Sequence, residues 1–239
     1  MQTQRIDGLD IFRGLAILCM VLYHFTYDLN YFQIISVDMN HTAGFLLVRY
    51  TIMSMFLVSV GMSLALAHKN MIKWSSVRKR ILQLGLASLT VTVATAMVFP
   101  NSWVYFGILH FVLLASLITL PLLRFPKTTL VLAILILLGS ATKLLHMHVI
   151  YTFLKIPLSL PPYSEDLVPL FPWLAVVFIG VVIVEYDLHQ KIFGHKIFNI
   201  SSPIHKILKK MGQHSLIIYL IHQPILFLGF ELFVRFFSK

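Results

Sequence analysis

The stretch RIDGLDIFRGLAILCMVLYHFTYDL, residues 5–29, decides the fold of this chain. It belongs to an apolar run over about 9–32, and about 20 mostly apolar residues are enough for a helix to cross a bilayer. The run is too long for the apolar part of a cleavable signal peptide, and no small-residue cleavage site follows it. We therefore interpret it as a retained first membrane-spanning helix.

The composition of the whole chain is typical of a membrane protein. Of its 239 residues, 58% are hydrophobic and 12% are charged, which is about half the usual charged share. The mean hydropathy is +0.85. Backbone groups must be paired inside lipid, so the apolar runs should be helices. The sequence predicts an all-α, polytopic transmembrane bundle that forms one domain over 1–239, with about seven helices at roughly 9–32, 44–67, 81–99, 104–123, 128–145, 167–184 and 213–234.

The basic residues indicate the orientation. With a cytoplasmic N-terminus and seven alternating helices, fourteen Lys and Arg residues fall on inner segments and four on outer ones, the asymmetry that sets membrane topology. We therefore expect a multi-pass protein of the cell (inner or plasma) membrane, in contact with lipid. The net charge of +10 lies in short clusters between apolar runs, so we expect no nucleic-acid partner. The inner residues are Arg5, Arg13, Lys69, Lys73, Arg78, Lys79, Arg80, Arg124, Lys127, Lys191, Lys196, Lys206, Lys209 and Lys210.

The first helix carries ionisable residues that a membrane span rarely tolerates. Each one costs a few kcal/mol inside lipid and so needs a reason. Arg13 and His24 are eleven residues apart, close to three helical turns, so they share a face about 16 Å apart along the axis. Asp28 lies one further turn along. The residues either anchor and pack the helix, or they form a site in which His24 takes a proton and Asp28 orients it.

Other histidines and one basic cluster are weaker candidates. His41 lies near the outer start of the second helix, where an acceptor could reach it. His110 and His222 either face a substrate or bridge helices by hydrogen bonds. The lone Cys19 has no disulfide partner and no metal-motif spacing, and we expect no metal. A basic cluster opens the third helix and either sets topology or holds phosphates; its members are Arg78, Lys79 and Arg80.

Five motifs occur in the order seen in one known family. The opening stretch is followed by FLVSVGMSLALA, FGILH, DLVPLFPW and HSLIIYLIHQP. Over about 5–224 the chain resembles the bacterial membrane proteins grouped with the heparan-α-glucosaminide N-acetyltransferase catalytic domain. The resemblance implies a helical bundle, consistent with the pattern of apolar runs.

The resemblance also implies an activity and roles for some residues. In the wider transmembrane acyltransferase superfamily, an arginine and a histidine with ten residues between them serve the acyl-CoA donor and acyl transfer, and Arg13 and His24 match that pattern. The start of helix three, here Arg78–Arg80, is associated with CoA phosphates. The animal lysosomal members have asparagine at the position of His24 and a catalytic histidine that aligns near His41. His24 is therefore the first choice for catalysis and His41 the second, and glucosaminide is not carried over as substrate.

The sequence thus predicts a transmembrane acetyltransferase (acyltransferase). It would move acetyl from cytoplasmic acetyl-CoA to an acceptor, a sugar or glycan, at the outer side of the membrane, with His110 and His222 as substrate-binding candidates. The alternatives are a small-solute or proton-coupled transporter, since intramembrane His, Asp and Arg also build proton relays, and a scaffold whose polar residues lock helices together. Gly61 and Ala65 permit close helix contacts, either inside the chain or in a homo-oligomer.

Overall fold

The structure is a computed structural model that describes residues 5–69, 71–198, 200 and 202–237. The described residues form ten α-helices and one short 3₁₀ turn at Lys196–Phe198. The helices are α1 (Asp7–Tyr31), α2 (Ala43–His68), α3 (Trp74–Val98), α4 (Ile108–Leu122), α5 (Pro126–Ala141), α6 (His148–Lys155), α7 (Leu170–Glu185), α8 (Leu188–Phe193), α9 (Pro203–Gln213) and α10 (Ser215–Phe237).

The predicted fold class is confirmed. Each of the seven predicted spans has a helix in the structure. Within the described residues, α1, α2, α3 and α10 are long and apolar enough to cross a membrane by length and composition, and α4, α5 and α7 are shorter apolar helices.

Three predicted helix boundaries were wrong by four residues or more, one of them the start of α4, which lies at Ile108 rather than 104. Helix α3 begins at Trp74 rather than 81, because its first two turns contain Arg78, Lys79 and Arg80 and so lie outside the apolar run that predicted the helix. Helix α5 ends at Ala141 rather than 145. The Thr142 hydroxyl donates to the Leu138 carbonyl (2.9 Å), and Lys143 adopts a left-handed φ of 60°, which ends the helix before the two apolar residues that follow.

The chain divides into two compact units, with the boundary inside α2. We name them for their place in the sequence: the central unit is Leu57–Leu188, and the terminal unit comprises the described residues of Gln2–Phe56 and His189–Lys239. In the central unit, α3 packs on α4 and α5 packs on α7. In the terminal unit, α1 packs on α9 and on α10.

Glycines set the closest helix approaches in both units. In the central unit, a Cβ on Gly61 of α2 would overlap the Val177 carbonyl of α7, and Gly180 meets α2 in the same way. The close helix contact at Gly61 is therefore a contact within the chain. In the terminal unit, a Cβ on Gly14 would overlap the Leu208 carbonyl of α9, and one on Gly212 would overlap the Asp10 carbonyl. Small residues at a crossing allow such backbone contact, which is how membrane helices gain packing energy.

Helix α9 begins at Pro203 with a regular cap. Pro203 occupies the first turn, and the Ser202 hydroxyl caps it by accepting a hydrogen bond from the backbone N–H of His205 (3.2 Å). The ring of His205 also reaches the Ile197 carbonyl (2.7 Å). These bonds hold the start of α9, and Gly212 near its end meets the N-terminal part of α1.

Candidate functional site

Two imidazoles meet inside the terminal unit, where α1 lies against α10. The ring centroids of His24 and His222 are 4.9 Å apart, with an angle of 66° between the ring planes. His222 Nδ1 lies 2.7 Å from the Tyr219 carbonyl oxygen. Because a carbonyl oxygen only accepts, Nδ1 donates, and the neutral ring then carries its lone pair on Nε2. The tertiary structure thus adds an oriented second imidazole to the histidine that the sequence favoured.

One turn from this pair, a buried carboxylate is bound by a glutamine. Asp28 is fully buried, and Gln223 Nε2 of α10 donates to its Oδ1 at 2.7 Å. Among the described residues, its Oδ2 has no hydrogen-bond partner. The bond that fixes Asp28 therefore comes from Gln223, and a direct link between Asp28 and His24 stays a prediction. Gln223 was missed from the sequence, although it stands beside His222 in the LIHQP motif.

The polar end of α1 forms a second cluster in the same unit. Asp10 is buried and accepts from Arg5 Nε (2.6 Å) and from Arg13 Nη1 (3.3 Å). Gln213 of α9 also donates to Asp10 (3.3 Å), and Arg13 Nη1 reaches the Gly212 carbonyl (3.4 Å). Two guanidinium groups share one carboxylate, which leaves a net positive charge. Arg13 thus joins α1 to α9 in the structure. Its expected role in binding acyl-CoA stays a prediction.

His41 lies in the exposed loop before α2. Its Nδ1 is 2.9 Å from Asp38 Oδ2, and both side chains face solvent. Desolvation acts to raise the pKa of Asp38, but hydrogen bonds from the backbone N–H groups of His41 and Asn40 and from the His41 ring together outweigh it, so this pKa lies below its usual value. The contacts of His41 in the structure are thus local to this loop, and its catalytic role stays a prediction.

His110, in the central unit, braces the start of α4. The Gly107 backbone N–H donates to its Nδ1 (3.3 Å), and its Nε2 is 3.1 Å from the Thr92 hydroxyl of α3. That hydroxyl donates to the Val104 carbonyl (2.8 Å), so Nε2 is the donor to Thr92. Both ring nitrogens are therefore used in joining α3 to α4. A substrate-binding role for His110 stays a prediction, and these bonds favour a structural one.

The basic cluster of α3 lies in the second turn of that helix. Arg78 and Lys79 are exposed, and Arg80 is partly buried. The same unit holds a polar cavity of about 250 Å³ between the ends of α2, α4 and α7. Lys69 at its edge pairs with Asp187 (3.3 Å), and the His68 ring accepts from the Lys73 backbone N–H (3.1 Å). The charged or polar lining residues are His68, Lys69, Arg124 and Glu185.

These arrangements can be compared with known proteins. A model of the family described as heparan-alpha-glucosaminide N-acetyltransferase, catalytic, matches residues 5–224, nearly the whole chain. No curated protein and no solved structure matches the chain. The family implies a transferase with membrane acetyltransferase activity, and the apolar helices agree with a membrane protein. The resemblance found in the sequence is confirmed, and the chain belongs to the heparan-α-glucosaminide N-acetyltransferase catalytic family.

Proposed function

We propose that the whole chain, 1–239, acts as one acyl-CoA-dependent acyltransferase domain of the cell membrane. It takes acetyl from cytoplasmic acetyl-CoA and delivers it to a sugar or glycan acceptor at the outer side. The observation that carries this proposal is the His24–His222 pair, which joins two helices long and apolar enough to span a membrane. Titratable groups at such a depth cost free energy and are commonly kept for function.

The pair supplies what acyl transfer needs. The lone pair of the acceptor hydroxyl or amine forms a bond to the thioester carbonyl carbon, and the carbon–sulfur bond breaks. One imidazole of the pair takes the acceptor proton and returns it to the leaving thiolate, which gives free CoA and the acylated acceptor. His222 Nε2 carries the lone pair for this step. Next to it on α10, Gln223 donates a hydrogen bond to Asp28, which lies one helical turn from His24 on α1.

The donor carries phosphates, and each unit offers positive charge for them. In the terminal unit, the charge belongs to the Arg5, Asp10 and Arg13 cluster. In the central unit, it belongs to the polar cavity and to the basic residues of α3, namely Arg78, Lys79 and Arg80. Guanidinium groups bind phosphate through two parallel N–H donors, so the arginines are the stronger candidates. Phosphate binding in the terminal unit and phosphate binding in the central unit are separate proposals, and substitutions in each unit test them separately.

Acetyl transfer by the purified full-length protein tests the reaction. With radiolabelled acetyl-CoA and a panel of sugar acceptors, the wild type should transfer label. The substitutions His24→Ala and His222→Ala should each lower kcat about 100-fold or more, because general acid–base groups contribute that much. Undiminished transfer in both variants would remove the pair from the mechanism, and loss in His41→Ala alone would move catalysis to the loop before α2.

Thermal unfolding in detergent tests donor binding without catalysis. A ligand that binds only the folded state adds about 2.7 kcal/mol of stability at 100 times its Kd. Acetyl-CoA should therefore raise the Tm of the wild type, with a smaller rise in Arg13→Ala, Arg78→Ala or Lys79→Ala, each compared with its own ligand-free Tm. Lys155→Ala, which removes an exposed lysine on the predicted outer side, is the matched control. No shift in a well-folded wild type would contradict an acetyl-CoA site.

A proton-coupled transporter is the second candidate. The observation in its favour is the edge-on pair of His24 and His222 with the buried Asp28 one turn away on α1, since groups of this kind also relay protons across a membrane. Proton or solute flux in proteoliposomes without any acyl donor would favour it over the transferase.

A further inference from the structure

Two buried oxygen atoms beside the histidine pair have no hydrogen-bond partner among the described residues. They are Oδ2 of Asp28 and Oε1 of Gln223. The two side chains are already bonded to each other, since Gln223 Nε2 donates to the other carboxyl oxygen of Asp28 at 2.7 Å. Each unbonded oxygen is one carbon away from an atom of that bond, so the two lie close together. Asp28 is fully buried, so bulk water does not reach its Oδ2.

This arrangement has an energetic cost. A buried oxygen without a donor has given up its hydrogen bonds to water and gained none in return, and native structures rarely keep such an atom without a reason. Here the two oxygens belong to one bonded pair of side chains, Asp28 and Gln223, so a single polar guest can satisfy both.

The chemistry of the two oxygens selects the guest. The amide oxygen of Gln223 only accepts hydrogen bonds, so the guest must donate to it. Asp28 Oδ2 accepts when the carboxyl is ionised and can donate when it is protonated, and a hydroxyl group suits both cases because it donates and accepts. A hydrocarbon chain or the thioester group of an acyl donor has no hydrogen-bond donor and would leave the Gln223 oxygen unsatisfied.

The pair lies on the far side of the imidazoles from the arginine cluster of α1. Asp28 is four residues beyond His24, about 6 Å along the helix axis, whereas Arg13 lies eleven residues before His24. Gln223 directly follows His222 on α10. A donor with its phosphates at Arg13 reaches the imidazoles from one side, and the polar pair then faces an acceptor on the other. Gln223 and His24 are both partly exposed, so a small molecule can contact both.

We propose that Asp28 and Gln223 bind a second polar group of the acceptor, a hydroxyl next to the group that is acylated, and so hold the nucleophile against His24 and His222. This inference rests on the proposed acyl transfer. It narrows the acceptor to molecules with neighbouring polar groups, such as sugars, and excludes alcohols and amines with a single polar group. The two residues act by binding the acceptor, and the bonds made and broken in the transfer are unchanged.

The experiment uses the full-length protein, acetyl-CoA, methyl glucosaminide and the 3-deoxy, 4-deoxy and 6-deoxy analogues of that sugar. Mass spectrometry locates the acylated position, and an analogue that lacks the nucleophile itself is set aside. In the wild type, at least one remaining analogue should lose about tenfold or more in kcat/KM, because a site built to bond a hydroxyl rejects a molecule without it. Equal kcat/KM for the parent sugar and all remaining analogues would overturn the inference.

Substitutions then test whether the pair is the source of that discrimination. The ratio of kcat/KM for the parent sugar to that for the rejected analogue should fall toward one in Gln223→Leu and in Asp28→Leu/Gln223→Leu, which leaves neither polar side chain unbonded. Thr26→Val is the matched control and should keep the wild-type ratio, since Thr26 lies between His24 and Asp28 but its hydroxyl bonds the Leu22 carbonyl within α1 (3.1 Å). A wild-type ratio in the double variant, however slow the transfer, would show that the pair only joins the helices.

A binding measurement separates failure of this inference from failure of the proposed function. Infrared difference spectra record the carboxyl band of Asp28, identified by its absence in Asp28→Asn. With CoA present, methyl glucosaminide should shift this band in the wild type even if no acetyl transfer is detected. Cyclohexylamine, which carries an amine without neighbouring hydroxyl groups, should not shift it. A band that the sugar leaves unchanged would show that water alone occupies the site, and it would overturn the inference.

Discussion

At the scale of single residues, the burial of Asp28 has an energetic consequence. A carboxylate taken out of water is stable only when it is hydrogen-bonded or neutralised. In the described structure, its bond comes from Gln223, on a helix nearly 200 positions away in sequence. The pair therefore acts as a polar clasp between α1 and α10, beside the two imidazoles.

We expect Gln223→Leu to destabilise the protein by about 1–3 kcal/mol, because it leaves a buried carboxylate without its amide donor. The double variant Asp28→Leu/Gln223→Leu should recover much of that loss, since both polar partners are then replaced by apolar groups. Denaturant unfolding in detergent measures the free energies. If the two single substitutions simply add in the double variant, the clasp does not exist.

At the scale of helices, the crossing of α1 and α9 depends on two glycines. Gly14 and Gly212 bring the helix backbones into contact, and Asp10, Arg13 and Gln213 form hydrogen bonds beside that contact. The close approach is what allows a short basic helix to hold the polar end of α1. A methyl group at either glycine would push the helices apart and lengthen these bonds.

Gly14→Ala or Gly212→Ala should therefore cost at least the 1–3 kcal/mol typical of overpacking. Gly44→Ala is the matched control, because a Cβ there meets nothing within 4 Å and alanine favours the helix by up to about 1 kcal/mol. Thermal unfolding of the three variants decides the matter. Equal Tm values for all three would mean that α9 does not rest on α1 through these residues.

At the scale of the whole molecule, the orientation in the membrane is the central prediction. The basic residues predict a cytoplasmic N-terminus, with the α2–α3 connection inside and the α1–α2 loop outside. Cys19 is the sole cysteine, so one substitution, Cys19→Ser, gives a background for labelling. Lys79 and Asn40 are both exposed and lie on opposite predicted sides.

In that background, Lys79→Cys should react with a membrane-impermeant maleimide only after the cells are opened. Asn40→Cys should react in intact cells. Both side chains are exposed, so burial does not limit either reaction. The opposite pattern would invert the orientation, and it would also place the donor and acceptor sides of the proposed reaction the other way round.

Much of the fold follows from the sequence because the bilayer imposes it. Lipid requires apolar side chains and internally paired backbone groups over a fixed length, so apolar runs such as 9–32 and 44–67 predict helices before any packing is known. Polar helix ends are not predicted in this way, because they carry no apolar run. The first seven residues of α3, at 74–80, are helical in the structure, although five of them are polar or basic and no apolar pattern marks them.

The sequence by itself determined the class of protein, the seven apolar helices, the family, and the stripe of Arg13, His24 and Asp28 on one helix. Those properties are local, since each depends on composition or on spacing along a single helix. Only the tertiary structure decided which distant groups meet them: His222 beside His24, Gln223 on Asp28, and Gly212 against α1. The physical reason is that helix periodicity fixes which face a side chain occupies, whereas the partner on that face is chosen by the packing of helices far apart in sequence.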